Sequence, residues 1–93
     1  MLKDVLADLR KKIDIVDKDI LDLVLKRLEF VDQVAKVKKA NKIPVFVPGR
    51  EDEILDGLVT GVDSKYASYV RDLFTSILDI SKRYQIEKDW DNE

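Results

Sequence analysis

The residues of this chain that could do chemistry are cations standing where a helix would place apolar side chains. Apolar residues recur at steps of three and four along the first forty or so positions, and Arg27 and Lys38 fall on the same stripe. Their spacing puts them within about 20° of one helix face and about 16 Å apart along its axis. A cation buried without a counter-charge is very costly. Two interpretations stay open: internal salt bridges, or a small anion bound between the two side chains.

More polar residues occupy positions that the periodicity turns toward a core. Arg50 and Glu51 begin the second helical segment, one turn before its apolar positions. Ser81 and Gln85 interrupt the apolar stripe of the third segment. With the two cations above, the set is Arg27, Lys38, Arg50, Glu51, Ser81 and Gln85. Together they describe a polar pocket inside a helical bundle, cationic on balance and suited to a small dianion. Arg10, near the start of the first helix, is placed to reach the pocket of a second copy.

Composition limits the chemistry that such a pocket can perform. The 93 residues include no cysteine and no histidine, which excludes disulfides, zinc sites with N/S ligands, thiol nucleophiles and imidazole acid–base catalysis. There is no paired-carboxylate motif or glycine-rich phosphate loop, and Ser81 has no neighbouring base. We therefore expect no cofactor and no metal. Electrostatic stabilisation and enforced geometry remain, and these suit a unimolecular rearrangement that needs no proton transfer.

The overall charge and the lack of long apolar runs limit the partners. Seventeen Lys and Arg residues against nineteen Asp and Glu residues leave a net charge of −2, so a uniformly basic surface for nucleic acid is not expected. No stretch is typical of a signal peptide or a membrane span. The sequence thus predicts a cytoplasmic protein that binds neither nucleic acid nor membrane.

The positions of glycine and proline predict three helices. Pro44 and Pro48 interrupt the first amphipathic pattern, and Pro48 suits the first turn of a second helix. Gly61 ends that helix, and Asp63 or Ser64 can cap the third. The expected organisation is one domain over 1–93, with helices over about 2–41, 48–60 and 64–88.

The length of the first helix predicts an assembly. Forty residues make a rod of roughly 60 Å, whereas a compact globule of this size is about 30 Å across. The other two helices can cover only part of its apolar stripe, and a second copy is the simplest cover for the rest. The expected fold is all-α: three helices per protomer, the first very long, in an intertwined homodimer.

Four runs in this order resemble the all-helical chorismate mutases. They are residues 9–17 (LRKKIDIVD), 26–29 (KRLE), 34–38 (VAKVK) and 44–51 (PVFVPGRE). The resemblance covers almost the whole chain, and its spacings agree without gaps from Arg10 to Glu51. The family's fold, an intertwined dimer of three-helix protomers, agrees with the dimension argument above.

This resemblance implies that chorismate rearranges to prephenate by a Claisen-type [3,3] shift, on the way to phenylalanine and tyrosine. Arg27, with Arg10 supplied by the other protomer, would clamp the substrate carboxylates. Lys38 and Gln85 would donate hydrogen bonds to the ether oxygen as its bond to carbon breaks. Glu51 would accept one from the ring hydroxyl.

The resemblance implies roles for two more residues, and the sequence differs from the family pattern at two positions. Arg50 would support the carboxylate end of the substrate, and Ser81 would line the pocket. Val47 stands where the family commonly has an acid near the ring hydroxyl, and Gly49 also replaces an acidic residue. Losing the acid at Val47 removes a polar contact worth on the order of 1 kcal/mol.

Three functions therefore remain open. The first is a chorismate mutase. The second is a related enzyme acting on isochorismate or on 4-amino-4-deoxychorismate. The presence of Glu51 disfavours an isochorismate-pyruvate lyase. Val47 lies in the region that would contact the amino group of 4-amino-4-deoxychorismate, so that substrate stays open. The third is a non-enzymatic helical dimerisation module in which Arg27 and Lys38 form plain salt bridges.

Overall fold

A computed structural model describes residues 1–88 and places three α-helices in this part of the chain. They are α1 (Leu2–Ala40), α2 (Arg50–Val59) and α3 (Ser64–Glu87). No strand occurs among the described residues, and the prediction of an all-α fold is confirmed. The expected domain over 1–93 also takes in residues 89–93, which lie outside the described part. None of the helices within residues 1–88 combines the length and the apolar character needed to cross a membrane.

The C-terminus of α1 is closed by a left-handed residue. Lys42 has φ 55°, and the Ile43 amide donates to the Lys38 carbonyl at 2.8 Å. The Asn41 side chain donates to the Val37 carbonyl, also at 2.8 Å. These bonds satisfy carbonyls that the end of a helix leaves without partners. Pro44 follows at once, so the chain leaves α1 in an extended segment.

Helix α2 begins two residues later than the sequence predicts. Pro48 was expected in its first turn, but the helix starts at Arg50 with Gly49 as its N-cap. Gly49 adopts φ 85°, a left-handed conformation that glycine tolerates without a Cβ penalty. This conformation separates Pro48 from the helix, so that expectation is corrected. Three acidic residues in the first turn stabilise the positive end of the α2 dipole.

Asp63 provides the cap of α3. Its side chain accepts a hydrogen bond from the Lys65 amide at 3.0 Å, as an N-cap aspartate does. Of the two predicted capping residues, Asp63 takes the role, and Ser64 is the first residue of the helix.

The chain divides into two compact units, Met1–Phe30 and Val31–Glu93. The first unit is a stretch of α1 whose apolar residues are largely exposed in this single chain. Leu9, Ile13 and Val16 are each at least half exposed. This exposed stripe is the face that the sequence assigns to a second copy.

The second unit holds the buried core of the described chain. Its α1 segment contributes Val31 and Ala35, α2 contributes Leu55, and α3 contributes Leu78 and Ser81. Residues 31, 35, 78 and 81 occur at three- or four-residue steps on their helices, as packing of helix faces requires. Of the predicted stripes, Val70, Phe74 and Ile77 are half-buried, whereas Val34 and Tyr66 are exposed in this single chain.

Candidate active site

A cleft in the second unit brings together the two residues expected at the reacting bond. Lys38, in the last turn of α1, and Gln85, near the end of α3, line the same cavity of about 390 Å³. The other lining residues are Ala35, Lys39, Ile43, Pro44, Val45, Ile86 and Lys88. Three of the lining side chains are lysines and none is acidic. The cleft is therefore cationic and has the size of a small-ligand site.

The ammonium of Lys38 is fixed in position by the backbone. Its Nζ donates to the Val45 carbonyl at 2.8 Å, and the side chain is half-buried. This bond ties the segment after α1 back onto the last turn of the helix. An ammonium carries three N–H donors, so the bond to Val45 leaves donors that can be directed at a ligand.

Gln85 and Ser81 occupy successive turns on the inward face of α3. Gln85 Nε2 donates to the Ser81 carbonyl at 3.3 Å, a long bond that uses one of its two N–H groups. Gln85 Oε1 is buried and makes no hydrogen bond among the described residues. Ser81 is 6% exposed, and its hydroxyl donates to the Ile77 carbonyl at 2.9 Å. The amide of Gln85 is thus held in the cleft with hydrogen-bonding capacity left for a ligand.

Glu51 is paired with a cation that the sequence analysis did not single out. Its Oε1 lies 2.8 Å from Lys82 Nζ on α3, and each side chain is 32% exposed. The contact is an ion pair that joins α2 to α3, and the Oε1 atom is buried against the ammonium. Pairing with Glu51 is the main cause that raises the pKa of Lys82, and Asp79 adds to the effect. The ion pair therefore holds Glu51 next to the turn of α3 that contains Ser81 and Lys82.

Asp32 and Tyr84 connect α1 with α3 next to the cleft. The Tyr84 hydroxyl donates to Asp32 Oδ1 at 2.6 Å, and Lys36 lies 3.4 Å from Asp32 Oδ2. The bond from Tyr84 is the main cause that lowers the pKa of Asp32 below its ordinary value of 3.8. Because Tyr84 precedes Gln85 in the chain, this bond helps to set where Gln85 sits relative to the end of α1.

Two of the expected site residues lie on the surface of the second unit. Arg50 was expected to face the core, but its guanidinium is exposed and Nη1 donates to Glu53 Oε1 at 2.9 Å. Residue i and residue i+3 share the outer face of α2, so this pair forms locally. Val47 is 42% exposed in the segment before α2.

Arg10 and Arg27 belong to the first unit. The side chain of Arg10 is exposed and that of Arg27 is half-buried. Their roles as a carboxylate clamp stay predictions. The second unit by itself thus brings together Lys38, Gln85 and Ser81, with Glu51 linked to the same stretch of α3 through Lys82.

The sequence contained signals for the missed residues. Lys82 comes four positions after buried Leu78, so it shares the inward face of α3, although lysine is usually read as part of a solvated face. Tyr84 directly precedes Gln85, and its partner Asp32 directly follows buried Val31. Within residues 1–88 there is no group of three or more acidic side chains arranged to hold a metal ion.

Comparison with known proteins identifies the family. Residues 9–86 match the chorismate mutase type II family. The chain belongs to this family. A T-protein from Haemophilus influenzae is 36% identical over 75 residues, covering 81% of this chain and 19% of that protein. The chorismate mutase of Methanocaldococcus jannaschii is 43% identical over 51 residues, covering 55% of this chain and 52% of that enzyme.

A bifunctional chorismate mutase/prephenate dehydratase from Aquifex aeolicus is also similar to this type II family member, at 35% identity over 54 residues. That alignment covers 58% of this chain and 15% of the relative. The chain therefore spans about a fifth or less of the T-protein and the bifunctional enzyme, and about half of the Methanocaldococcus protein. No solved structure matches the chain significantly.

Proposed function

We propose that this chain catalyses the rearrangement of chorismate to prephenate. The observation that carries the proposal is the meeting of Lys38 and Gln85 in one cationic cleft, in a member of the chorismate mutase type II family. The substrate is a dicarboxylate, and a cleft lined by three lysines and no acid attracts such an anion.

The proposed reaction asks for hydrogen-bond donors rather than for a base or a nucleophile. One carbon–oxygen bond breaks while one carbon–carbon bond forms within the same molecule, and no proton moves. Negative charge grows on the ether oxygen as its bond lengthens. Lys38, already fixed by the Val45 carbonyl, and the remaining N–H of Gln85 would donate to that oxygen. A fixed donor aimed at developing charge is worth about 10²–10³ in rate.

The other site residues would bind and orient the substrate. Glu51 would accept from the ring hydroxyl, Ser81 would line the pocket, and Arg50 would support the carboxylate end after leaving Glu53. Arg27 and an Arg10 from a second protomer would hold the carboxylates. Holding both ends selects the folded conformer in which the reacting carbons approach each other.

We also propose that the working form is a homodimer in the cytoplasm. The exposure of Leu9, Ile13 and Val16 in the single chain supports the dimer, since a continuous apolar stripe on a soluble helix calls for a cover. Sedimentation equilibrium should give twice the mass of one chain at micromolar concentration. A monomer that turns over chorismate would contradict the role of Arg10.

The test of this function combines activity with one matched pair of variants. Purified protein should consume chorismate, and Gln85→Leu should lower kcat by about 10²–10³ because one donor to the ether oxygen is lost. Arg83→Leu is the control, since Arg83 lies two residues away on α3 but is exposed and pairs with Glu87 at 3.8 Å. Equal losses in both variants, or no consumption by the wild type, would refute the proposal.

A further inference from the structure

The Lys82 ammonium lies next to Glu51, the residue proposed to bind the hydroxyl on the substrate ring. Its Nζ lies 2.8 Å from Glu51 Oε1, 3.5 Å from Asp79 Oδ1 and 5.8 Å from the centre of the Phe46 ring. Asp79 is 66% exposed, so Glu51 is the less solvated of the two acids. Three contacts from three different segments hold the ammonium in one place.

This ion pair changes what Glu51 can bind. A carboxylate already neutralised at 2.8 Å is a poor counter-ion for a second cation, since that cation would also meet the charge of Lys82. The same carboxylate still accepts hydrogen bonds from a neutral donor, because an ionised carboxyl offers about four lone-pair positions.

The segment between Lys42 and Arg50 carries no charged side chain. It therefore offers no second carboxylate that could offset Lys82. The acids packed around the Lys82 ammonium are Glu51 and Asp79 alone within residues 1–88.

We propose that Lys82, acting through Glu51, makes this site select a neutral hydroxyl over an ammonium on the substrate ring. The inference rests on the proposed function, in which Glu51 faces that substituent, and it assigns chorismate rather than its 4-amino-4-deoxy analogue as substrate. Lys82 is a positioning residue here, because it acts on the substrate through the carboxylate of Glu51.

The size of the effect follows from Coulomb's law. Two like unit charges about 4 Å apart repel each other by enough to change a binding constant about fivefold, even with the full screening of bulk water. Near a protein surface the repulsion is stronger. An aliphatic amine is protonated at pH 7. Removing the charge of Lys82 should therefore shift the ratio of kcat/KM values toward the amino analogue by at least about fivefold.

The experiment measures kcat/KM for chorismate and for 4-amino-4-deoxychorismate at pH 7. The wild type should prefer chorismate, and Lys82→Met and Lys82→Gln should shift the ratio toward the amino analogue by at least about fivefold. Lys82→Arg keeps the cation and should restore the wild-type ratio. Arg83→Met removes an adjacent exposed cation and should leave the ratio unchanged.

The outcomes separate this inference from the function on which it rests. If the wild type converts chorismate but Lys82→Met and Lys82→Gln leave the substrate ratio as Arg83→Met does, the inference is overturned and the proposed function stands. A wild type that prefers the amino analogue overturns the inference by itself. A wild type that converts neither compound overturns both.

Discussion

Lys38 has one structural task and one proposed catalytic task, and the substitution Lys38→Met separates them. The substitution keeps an unbranched side chain of similar length but removes the ammonium. It breaks the 2.8 Å bond to the Val45 carbonyl and removes the donor proposed for the ether oxygen. Both losses come from one atom, but they are measured by different quantities.

The structural loss should be the smaller of the two. A hydrogen bond contributes about 1 kcal/mol to the free energy of unfolding, and water can reach the half-buried Val45 carbonyl when the ammonium is gone. The catalytic loss should be about 2.7–4 kcal/mol of activation free energy, equal to about 10²–10³ in kcat. Since domains are stable by about 5–15 kcal/mol, the variant should remain folded while losing nearly all turnover.

Urea unfolding and steady-state kinetics on the same preparation make the test. Lys39→Met is the matched control. Lys39 lines the same cleft, but the hydrogen bond to the Val45 carbonyl comes from Lys38. Loss of the Lys39 charge should therefore lower kcat less than about tenfold, through the overall charge of the cleft alone. A Lys38→Met variant that keeps kcat within tenfold of the wild type would show that Lys38 is not a donor to the ether oxygen. So would equal losses in the two variants.

Three further predictions follow from particular residues. The Tyr84 hydroxyl lowers the pKa of Asp32 in the folded state. The pair therefore stabilises the fold at pH values above the ordinary pKa of an aspartate. This stabilisation is lost as the pH falls through the lowered pKa of the folded state. Urea titrations from pH 7 to pH 3 should show Tyr84→Phe destabilised at neutral pH, with the gap to the wild type closing in acid; a constant gap would contradict the assignment. Lys42→Gly should raise the free energy of unfolding by about 0.5–1 kcal/mol because φ is 55° there, and a lower urea midpoint would argue against it. Turnover of chorismate should change little between pH 6 and 8, since the chain has no histidine; a steep fall would require a titrating group that the mechanism lacks.

The helices could be predicted from sequence because their signals are local. The absence of glycine and proline before residue 44, the break at Pro44 and the cap at Asp63 all act within a few residues of their own position. The start of α2 could not be placed in the same way. Pro48 suits a first helical turn equally well, and only the left-handed conformation of Gly49 excludes it from the helix.

The site was less predictable because its contacts join distant segments. Periodicity singled out Lys38, Ser81 and Gln85, since each interrupts an apolar stripe, and the structure places Lys38 and Gln85 in one cleft; their roles stay predictions. It placed Arg50 on an inward face, but a local pair with Glu53 satisfies that guanidinium in solvent. Pattern alone could not show that Lys82 pairs with Glu51, because the register between α2 and α3 is set by packing and not by either helix alone.

The central claim is that this chorismate mutase type II family member performs the rearrangement itself. The most direct test is to incubate the purified protein with chorismate, follow the loss of its absorbance, and identify the product by proton NMR. We expect stoichiometric prephenate and no release of pyruvate. Unchanged chorismate, or pyruvate with an aromatic acid in place of prephenate, would contradict it.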